Sequence, residues 1–413
     1  MLQNILWIVS FFSLWLVMVW LQIMYLDEPK KQKNTELPSV TIAVAAYNEE
    51  KTISKTIRSL VMSNYPKDKI EIIVVNDGSR DRTAEVVDSL IKKYKDFSIR
   101  LINKENGGKA SAINAALENA SCELFGVVDA DSRIEPNCLK FLVPHFGTEE
   151  IGAAVSRIKV DRPKNMLERI QRFEYIMSNM IRKLMAAIGT LAMTPGVLSL
   201  YRISLLKQLG GFDESKKNLT EDLEIAMRLK YHGYKIEMDY RSITHTVVPH
   251  SIKALWRQRV RWARGYIYNH WKYRKMFFSR KHSLFGIFQM PVNVLVVLLL
   301  ILNICIISYS LFNDTIEFAV RSLTIEGYFI NSILNLPSVK EIVLSQNIRV
   351  VLPIAICSLL GISLILITHR IFKERLAKNI MPAVSYFIFV PYFMTLNWIS
   401  SIAQEILKTK KKW

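Results

Sequence analysis

The stretch Leu124-Phe125-Gly126-Val127-Val128-Asp129-Ala130-Asp131 has no polar side chain for five residues and then sets two carboxylates one residue apart. Such a short apolar run reads as a buried strand, Leu124–Val128. The pattern repeats upstream: Val40–Ala45 is a short apolar strand, Glu71–Val75 (EIIVV) another and Ile99–Ile102 a third. Between them, residue spacing predicts helices over Glu50–Ser63, Thr83–Lys93 and the Ala-rich Lys109–Glu118. Strands alternating with helices of this length predict an α/β domain with a parallel sheet covered on both faces. Ligands of such sheets bind beyond the carboxyl ends of the strands. Polar clusters stand at all four of those ends: Ala46-Tyr47-Asn48-Glu49, Asn76-Asp77-Gly78-Ser79, Asn106-Gly107-Gly108-Lys109 and Asp129-Ala130-Asp131. Loop composition explains any one of them, but all four less easily. Neither GxGxxG nor GxxxxGK[ST] occurs, which argues against a standard dinucleotide or P-loop site.

The 413 residues allow about two or three structural units. A chain that is 50% hydrophobic and 22% charged is not disordered throughout. Four cysteines without a CxxC pair argue against a disulfide scaffold or zinc ribbon. Cys122 and Cys138 read as small buried residues. His245 and His250, with no carboxylate at ligand spacing, read as structural. The net charge of +19 points to nucleic acid, anionic lipid or a phosphorylated small molecule.

Membrane segments narrow that choice. Residues 1–26 carry no charge, and Asn4–Leu26 exceeds the roughly 20 residues that cross a bilayer core. It is too long for a signal-peptide apolar region and no cleavage site follows, so it reads as an uncleaved anchor. Leu284–Phe312, Ile348–Thr368 and Ile380–Ile402 are further apolar stretches. The last contains Pro382 and Pro391 and reads as kinked or partly re-entrant. The expected organisation is an N-terminal transmembrane helix with basic flank (1–30), a soluble α/β domain (31–248), interfacial amphipathic helices (249–283) and a C-terminal region of about three spans (284–413). Lys30-Lys31-Gln32-Lys33, Arg280-Lys281-His282 and the segment His369–Lys378 fall on one side if the N-terminus is outside. That places the soluble domain in the cytoplasm, at the cell membrane. Lys408, Lys410, Lys411 and Lys412 disagree if all four stretches cross fully.

Several residues carry candidate chemistry. Asp129 and Asp131 suit Mg²⁺ or Mn²⁺, hard cations held by one or two carboxylates plus substrate phosphates. A strand-end turn explains the pair equally well. Lys109, opening a helix after two glycines, suits a diphosphate or is simply a solvated turn lysine. Thr220-Glu221-Asp222 precedes the amphipathic run Leu223–Lys230. Asn218 with Glu221 fits a capping box, whereas Asp222 is left over as a candidate general base. Residues 251–282 hold ten Lys/Arg, eight aromatics and no acid, which reads as an interfacial helix on anionic lipid. Nucleic acid ranks low there because a membrane span follows directly. Within this stretch Gln258, Arg261 and Trp262 share one helix face.

The ordered set Ala45-Ala46-Tyr47-Asn48-Glu49, Asn76-Asp77-Gly78, Gly108-Lys109, Asp129-Ala130-Asp131, Thr220-Glu221-Asp222 and Gln258-Arg259-Val260-Arg261-Trp262 resembles the processive family 2 glycosyltransferases. These include the cellulose, hyaluronan, chitin and bacterial poly-N-acetylglucosamine synthases, the last being the most similar in size and layout. The resemblance implies a GT-A fold, a nucleotide diphosphate sugar donor, a divalent metal and inverting transfer to a glycan or glycolipid. It implies that Tyr47, Glu49 and Asp77 line the nucleoside pocket and Lys109 contacts the diphosphate. Asp129 lies near the nucleotide and Asp131 binds the metal. Asp222 is the base, and Arg261 neutralises the leaving diphosphate. Trp262, Gln258, Glu221 and the loop Thr194-Pro195-Gly196 belong to the acceptor side. Asn76 departs from the family, where aspartate is common. An accessory membrane subunit as a further partner is left open.

Overall fold

The computed structural model describes residues 2–26, 37–335, 338, 341 and 348–409. The expected flank Lys30–Lys33 and the tail lysines Lys410, Lys411 and Lys412 lie outside the described residues.

Eight strands form one sheet: β1 (Val40–Ala46), β2 (Ile70–Asp77), β3 (Ser98–Lys104), β4 (Leu124–Val127), β5 (Arg133–Ile134), β6 (Ile151–Val160), β7 (Ser199–Arg202) and β8 (Lys235–Thr246). Their spatial order is β3-β2-β1-β4-β7-β6-β8-β5. β3, β2, β1 and β4 run parallel, as the alternating pattern predicts. The second half corrects the all-parallel expectation: β7 lies antiparallel to both β4 and β6, and β5 antiparallel to β8. β7 has four residues and β5 two, too short to carry a readable period.

Helices cover both faces. On β1, Val40, Ile42, Val44 and Ala46 face one way, packing with Ile53 and Ile57 of α2 (Ile53–Val61) and Val87 of α3 (Thr83–Lys93). Ala43 faces the other way, toward Ile113 of α4 (Lys109–Glu118), Leu206 of α7 (Ile203–Gln208) and Ile225 of α8 (Glu221–Tyr231). This two-residue alternation is the geometry of a pleated strand with a core on each side. A short α5 (Cys138–Leu142) closes one edge. Cys138 is buried as expected, while Cys122 is only half-buried.

Two long amphipathic helices, α6 (Met166–Ala187) and α9 (Ile252–Lys272), join this domain to the apolar helices. α6 starts on an Asn165 cap, whose side chain accepts from Glu168 N at 2.9 Å. Ser251 caps α9 in the same manner. Among the described residues, four helices are long and apolar enough to cross a membrane: α1 (Leu2–Leu26), α10 (Met290–Thr324) with the π turn Phe285–Gln289 before it, Ile348–Ile371 and Ile380–Ile406. α10 continues beyond the expected end at Phe312 into an exposed segment of mixed composition, where Glu317 and Arg321 pair one turn apart. α1 packs with Ile348–Ile371 and α6 through Trp20, Met180, Leu184 and Leu364.

Helix Ile380–Ile406 contacts α6 and α9 along most of its length. Tyr386 meets Phe173 at 5.3 Å, Phe393 meets Trp256 at 5.6 Å and Trp398 meets Tyr266 at 5.4 Å. Near its end, Glu405 accepts from the buried Arg264 guanidinium at 2.6 Å. Residues along this helix therefore reach the helices that adjoin the sheet domain.

Candidate active site

The carboxyl ends of β1, β2 and β4 meet the start of α8 in one polar rim. Lys109 opens α4 after Gly108, whose φ of 89° is glycine territory. Its ammonium bonds the Asp129 carboxylate at the end of β4 and lies 3.3 Å from Glu221 Oε1 on α8. Burial opposes the charge on Lys109, but Asp129, Glu221 and Asp222 together raise its pKa, so it stays protonated. Glu221 thus serves as an ion partner. The expected capping box with Asn218 does not form: Asn218 Oδ1 accepts from Thr220 N at 3.1 Å, and Thr220 is the residue before the helix.

Asp222 lies beside this cluster. Thr194 Oγ1 donates to its backbone carbonyl at 2.7 Å, and its own Oδ1 accepts from Leu223 N at 2.8 Å. Burial and the adjacent Glu221 push its carboxyl up to about 6, against the pull of Lys109 and Arg261. Arg261 reaches the same place from α9, donating to Leu219 O at 3.2 Å. The α8–α9 approach depends on Gly265: a Cβ there would fall 2.3 Å from Thr220 Oγ1. Asn269 Nδ2, one turn on, bonds Thr220 Oγ1 at 3.1 Å and Asn218 Oδ1 at 3.2 Å. Sequence reading missed Gly265 and Asn269; their i, i+4 spacing on the Arg261 helix was the available signal.

The Thr194-Pro195-Gly196 loop closes over the rim. Gly196 O accepts from Asp129 N at 2.8 Å, and a Cβ on Gly196 would lie 2.5 Å from Lys109 Nζ. Pro195 O accepts from Ser199 Oγ at 2.7 Å, which fixes the loop on β7.

Asp77 is buried and fully engaged. Its carboxylate accepts from Lys104 Nζ (2.9 Å), Gly107 N (2.9 Å) and Gly108 N (2.8 Å), holding the turn that presents Lys109. Asn76 bonds Asn103 across the β2–β3 pair at 2.8 Å. Tyr47 is exposed at the rim. Glu49 receives the Thr52 hydroxyl and stands near Asp131.

Asp131 is crowded by burial and by the charges of Asp129 and Glu49, which lift its carboxyl to about 6. Among the described residues, no three His, Cys, Asp or Glu side chains group as a complete metal cage. An oxygen-ligand cation that keeps its waters and takes substrate phosphates needs only one or two carboxylates, and crowded acids of this kind fit one.

Trp262 lies further out. The Arg259 guanidinium stacks over its ring at 4.4 Å and pairs with Glu174 at 2.8 Å. Gln258 leaves a buried Oε1 without a partner. Neither residue bonds the Lys109–Asp222 cluster directly. His245 pairs with Glu135 at 3.0 Å.

A mixed α/β sheet with this rim, Asp-x-Asp included, defines a GT-A glycosyltransferase. The chain belongs to glycosyltransferase family 2: residues 38–265, more than half of it, match the family model "Glycosyltransferase like family 2". It is 37% identical over 273 residues to the "Probable glycosyltransferase YdaM" of Bacillus subtilis, covering 63% of each chain. It is 32% identical over 238 residues to a "Poly-beta-1,6-N-acetyl-D-glucosamine synthase" of Staphylococcus epidermidis, covering 57% of this chain and 56% of that one. The match thus spans under two-thirds of these relatives' lengths. Among solved structures, the mannosyltransferase PcManGT of Pyrobaculum calidifontis, in complex with GDP-Man and Mn²⁺, superposes with a TM-score of 0.60. That likeness covers 94% of this chain and 99% of that chain at 21% identity, and is one of fold.

Proposed function

We propose that this protein is a membrane-bound inverting hexosyltransferase. It moves a sugar from a nucleotide diphosphate donor, UDP-GlcNAc or UDP-Glc, to a growing β-linked polysaccharide, processively and coupled to export. The main support is the contact of Lys109 with Asp129 and Glu221, with Asp222 and Arg261 beside it. One cluster then holds a buried base and two cations, suited to a reaction in which a nucleophile loses a proton as a diphosphate gains charge.

Asp222 takes the proton from an acceptor hydroxyl. The freed oxygen attacks the anomeric carbon from the face opposite the diphosphate, and one displacement inverts the configuration. Lys109 and Arg261 meet the charge that develops on the leaving diphosphate. Asp131, with Asp129 beside it, would hold Mg²⁺ or Mn²⁺, which when bound supplies positive charge against the diphosphate. Tyr47 and Glu49 flank the nucleoside, while Asp77 acts through the Gly107–Gly108 turn. Thr194, Pro195, Gly196, Glu221, Gln258 and Trp262 form the acceptor side.

The catalytic domain faces the cytoplasm in this reading, with domain limits near residues 30, 248 and 283. Contacts from Tyr386 to Glu405 favour a last helix that rests on α6 and α9 instead of crossing. That arrangement returns Lys408 to the basic side and resolves the charge disagreement.

The test supplies membranes containing the protein with Mg²⁺ or Mn²⁺ and UDP-GlcNAc, UDP-Glc, UDP-GlcA or GDP-Man, and measures product mass. High-mass product from one donor is expected. Short, solvent-extractable product would replace polymer synthesis by transfer to a lipid carrier or glycolipid. Nucleotide binding without transfer from any donor would favour a non-catalytic scaffold.

A further inference from the structure

A cavity of about 370 Å³ lies between the β6–β8 pair and α6, with Arg133, two residues after Asp131, in its wall. Arg133, Arg157, Lys159, Arg162 and Arg172 line it. The lining carboxylates are Asp161 and Glu374, so five cations face two anions, an excess of three. Glu135 stands behind His245 on the wall and reduces that excess without removing it.

Glu374 explains how the cations are arranged. It lies in the turn after helix Ile348–Ile371 and accepts from Arg157 at 3.0 Å, Lys159 at 3.0 Å and Arg172 at 2.7 Å. Phe372 beside it is buried under the Arg157 guanidinium at 4.5 Å. One carboxylate among three cations leaves donor capacity, since each guanidinium has five N–H groups. Asp161 similarly engages Arg133 at 3.1 Å, and Arg162, also in the lining, is exposed. Tyr175 also lines the wall.

We propose that this cavity binds a phosphoryl group, supplied by the headgroup of an anionic membrane lipid. If helix Ile348–Ile371 spans the bilayer, as its length and composition allow, Glu374 and the cavity stand at headgroup level. Arginines with a forked donor geometry are the usual partners of phosphate oxygens. The site does not depend on the proposed reaction and would anchor α6 and the turn after Phe372 to the bilayer surface.

The test uses the full chain in detergent, with lipid retention followed by native mass spectrometry. Phosphatidic acid and phosphatidylcholine are the probes, and inorganic phosphate is the competitor. Phosphatidic acid is expected to be retained about tenfold more strongly than phosphatidylcholine. The double variant K159Q/R162Q should lower that retention about tenfold, the size of one or two charge-assisted bonds. Glu374→Gln removes the internal anion and should strengthen retention. If inorganic phosphate competes at equal concentration, the phosphoryl site stands but its source is in solution. Equal retention of both lipids, or no effect of K159Q/R162Q, overturns the proposal. Weaker retention in a folded Glu374→Gln variant overturns it as well, because the cations would then be a latch for the turn alone.

Discussion

Lys109 Nζ lies 3.3 Å from Glu221 Oε1 and so ties the start of α4, between β3 and β4, to the start of α8, just before β8. The same ammonium pairs with Asp129. Lys109→Met keeps much of the side-chain volume and removes the charge. The expected loss in turnover is about 10²–10³-fold, as for deletion of one stabilising donor at a developing anion. Lys109→Arg should recover part of it. Nucleoside diphosphate release, measured with saturating donor, checks this; turnover within twofold of wild type would remove Lys109 from the diphosphate role.

As the proposed base, Asp222 should set the acidic limb of the activity profile. Its carboxyl is held near 6, mainly by burial and then by Glu221, so it is protonated and inactive as a base below that value. Activity should rise with pH through about 6. The sign for stability is opposite: the folded state holds this proton more tightly than the unfolded one, so ionising Asp222 costs stability between the usual carboxylate range and about 6. A kcat profile flat from pH 5 to 7 would contradict the assignment.

Gly196→Ala places a methyl 2.5 Å from Lys109 Nζ and 2.8 Å from Asp129 Oδ1. The ion pair must part or the loop must withdraw. Turnover should fall about tenfold or more while the thermal midpoint moves little, because the clash is with the end of a flexible side chain. An enzyme of normal activity would show that the loop does not control the pair.

Gly265→Ala drives α9 away from Thr220, against which its Cβ would lie at 2.3 Å. Since Arg261 is one turn earlier on α9, the expected result is a lower kcat together with lower stability, each typical of a core overpacked by about 1–3 kcal/mol. The double variant G265A/T220A should recover part of both. Independent effects in a double-mutant cycle would show that the two helices are not coupled through this contact.

The parallel half of the sheet was legible because its strands are continuous apolar runs and its helices have clear spacing. Thr83–Lys93 and Lys109–Glu118 form helices with the expected limits. The antiparallel half was not, since β7 contacts β4 and β6 through four residues that have no pattern of their own. α6 carries an amphipathic face and a capping signal, Asn165 with Glu168, that sequence reading passed over. Within the site, residue types announced the chemistry, but partners were hidden. Nothing local says that Glu221 meets Lys109, or that Asp77 spends its carboxylate on Gly107 and Gly108. Those pairings are tertiary, and only the close approaches at Gly196 and Gly265 leave a trace in the sequence.

The most direct test compares wild type with Asp222→Asn in the same membranes, measuring sugar transfer and UDP binding side by side. Loss of transfer by about 10²–10⁴-fold with nucleotide affinity retained is the predicted result, the range expected when a general base is removed. Transfer at the wild-type rate in Asp222→Asn would contradict the central claim that this buried carboxylate activates the acceptor.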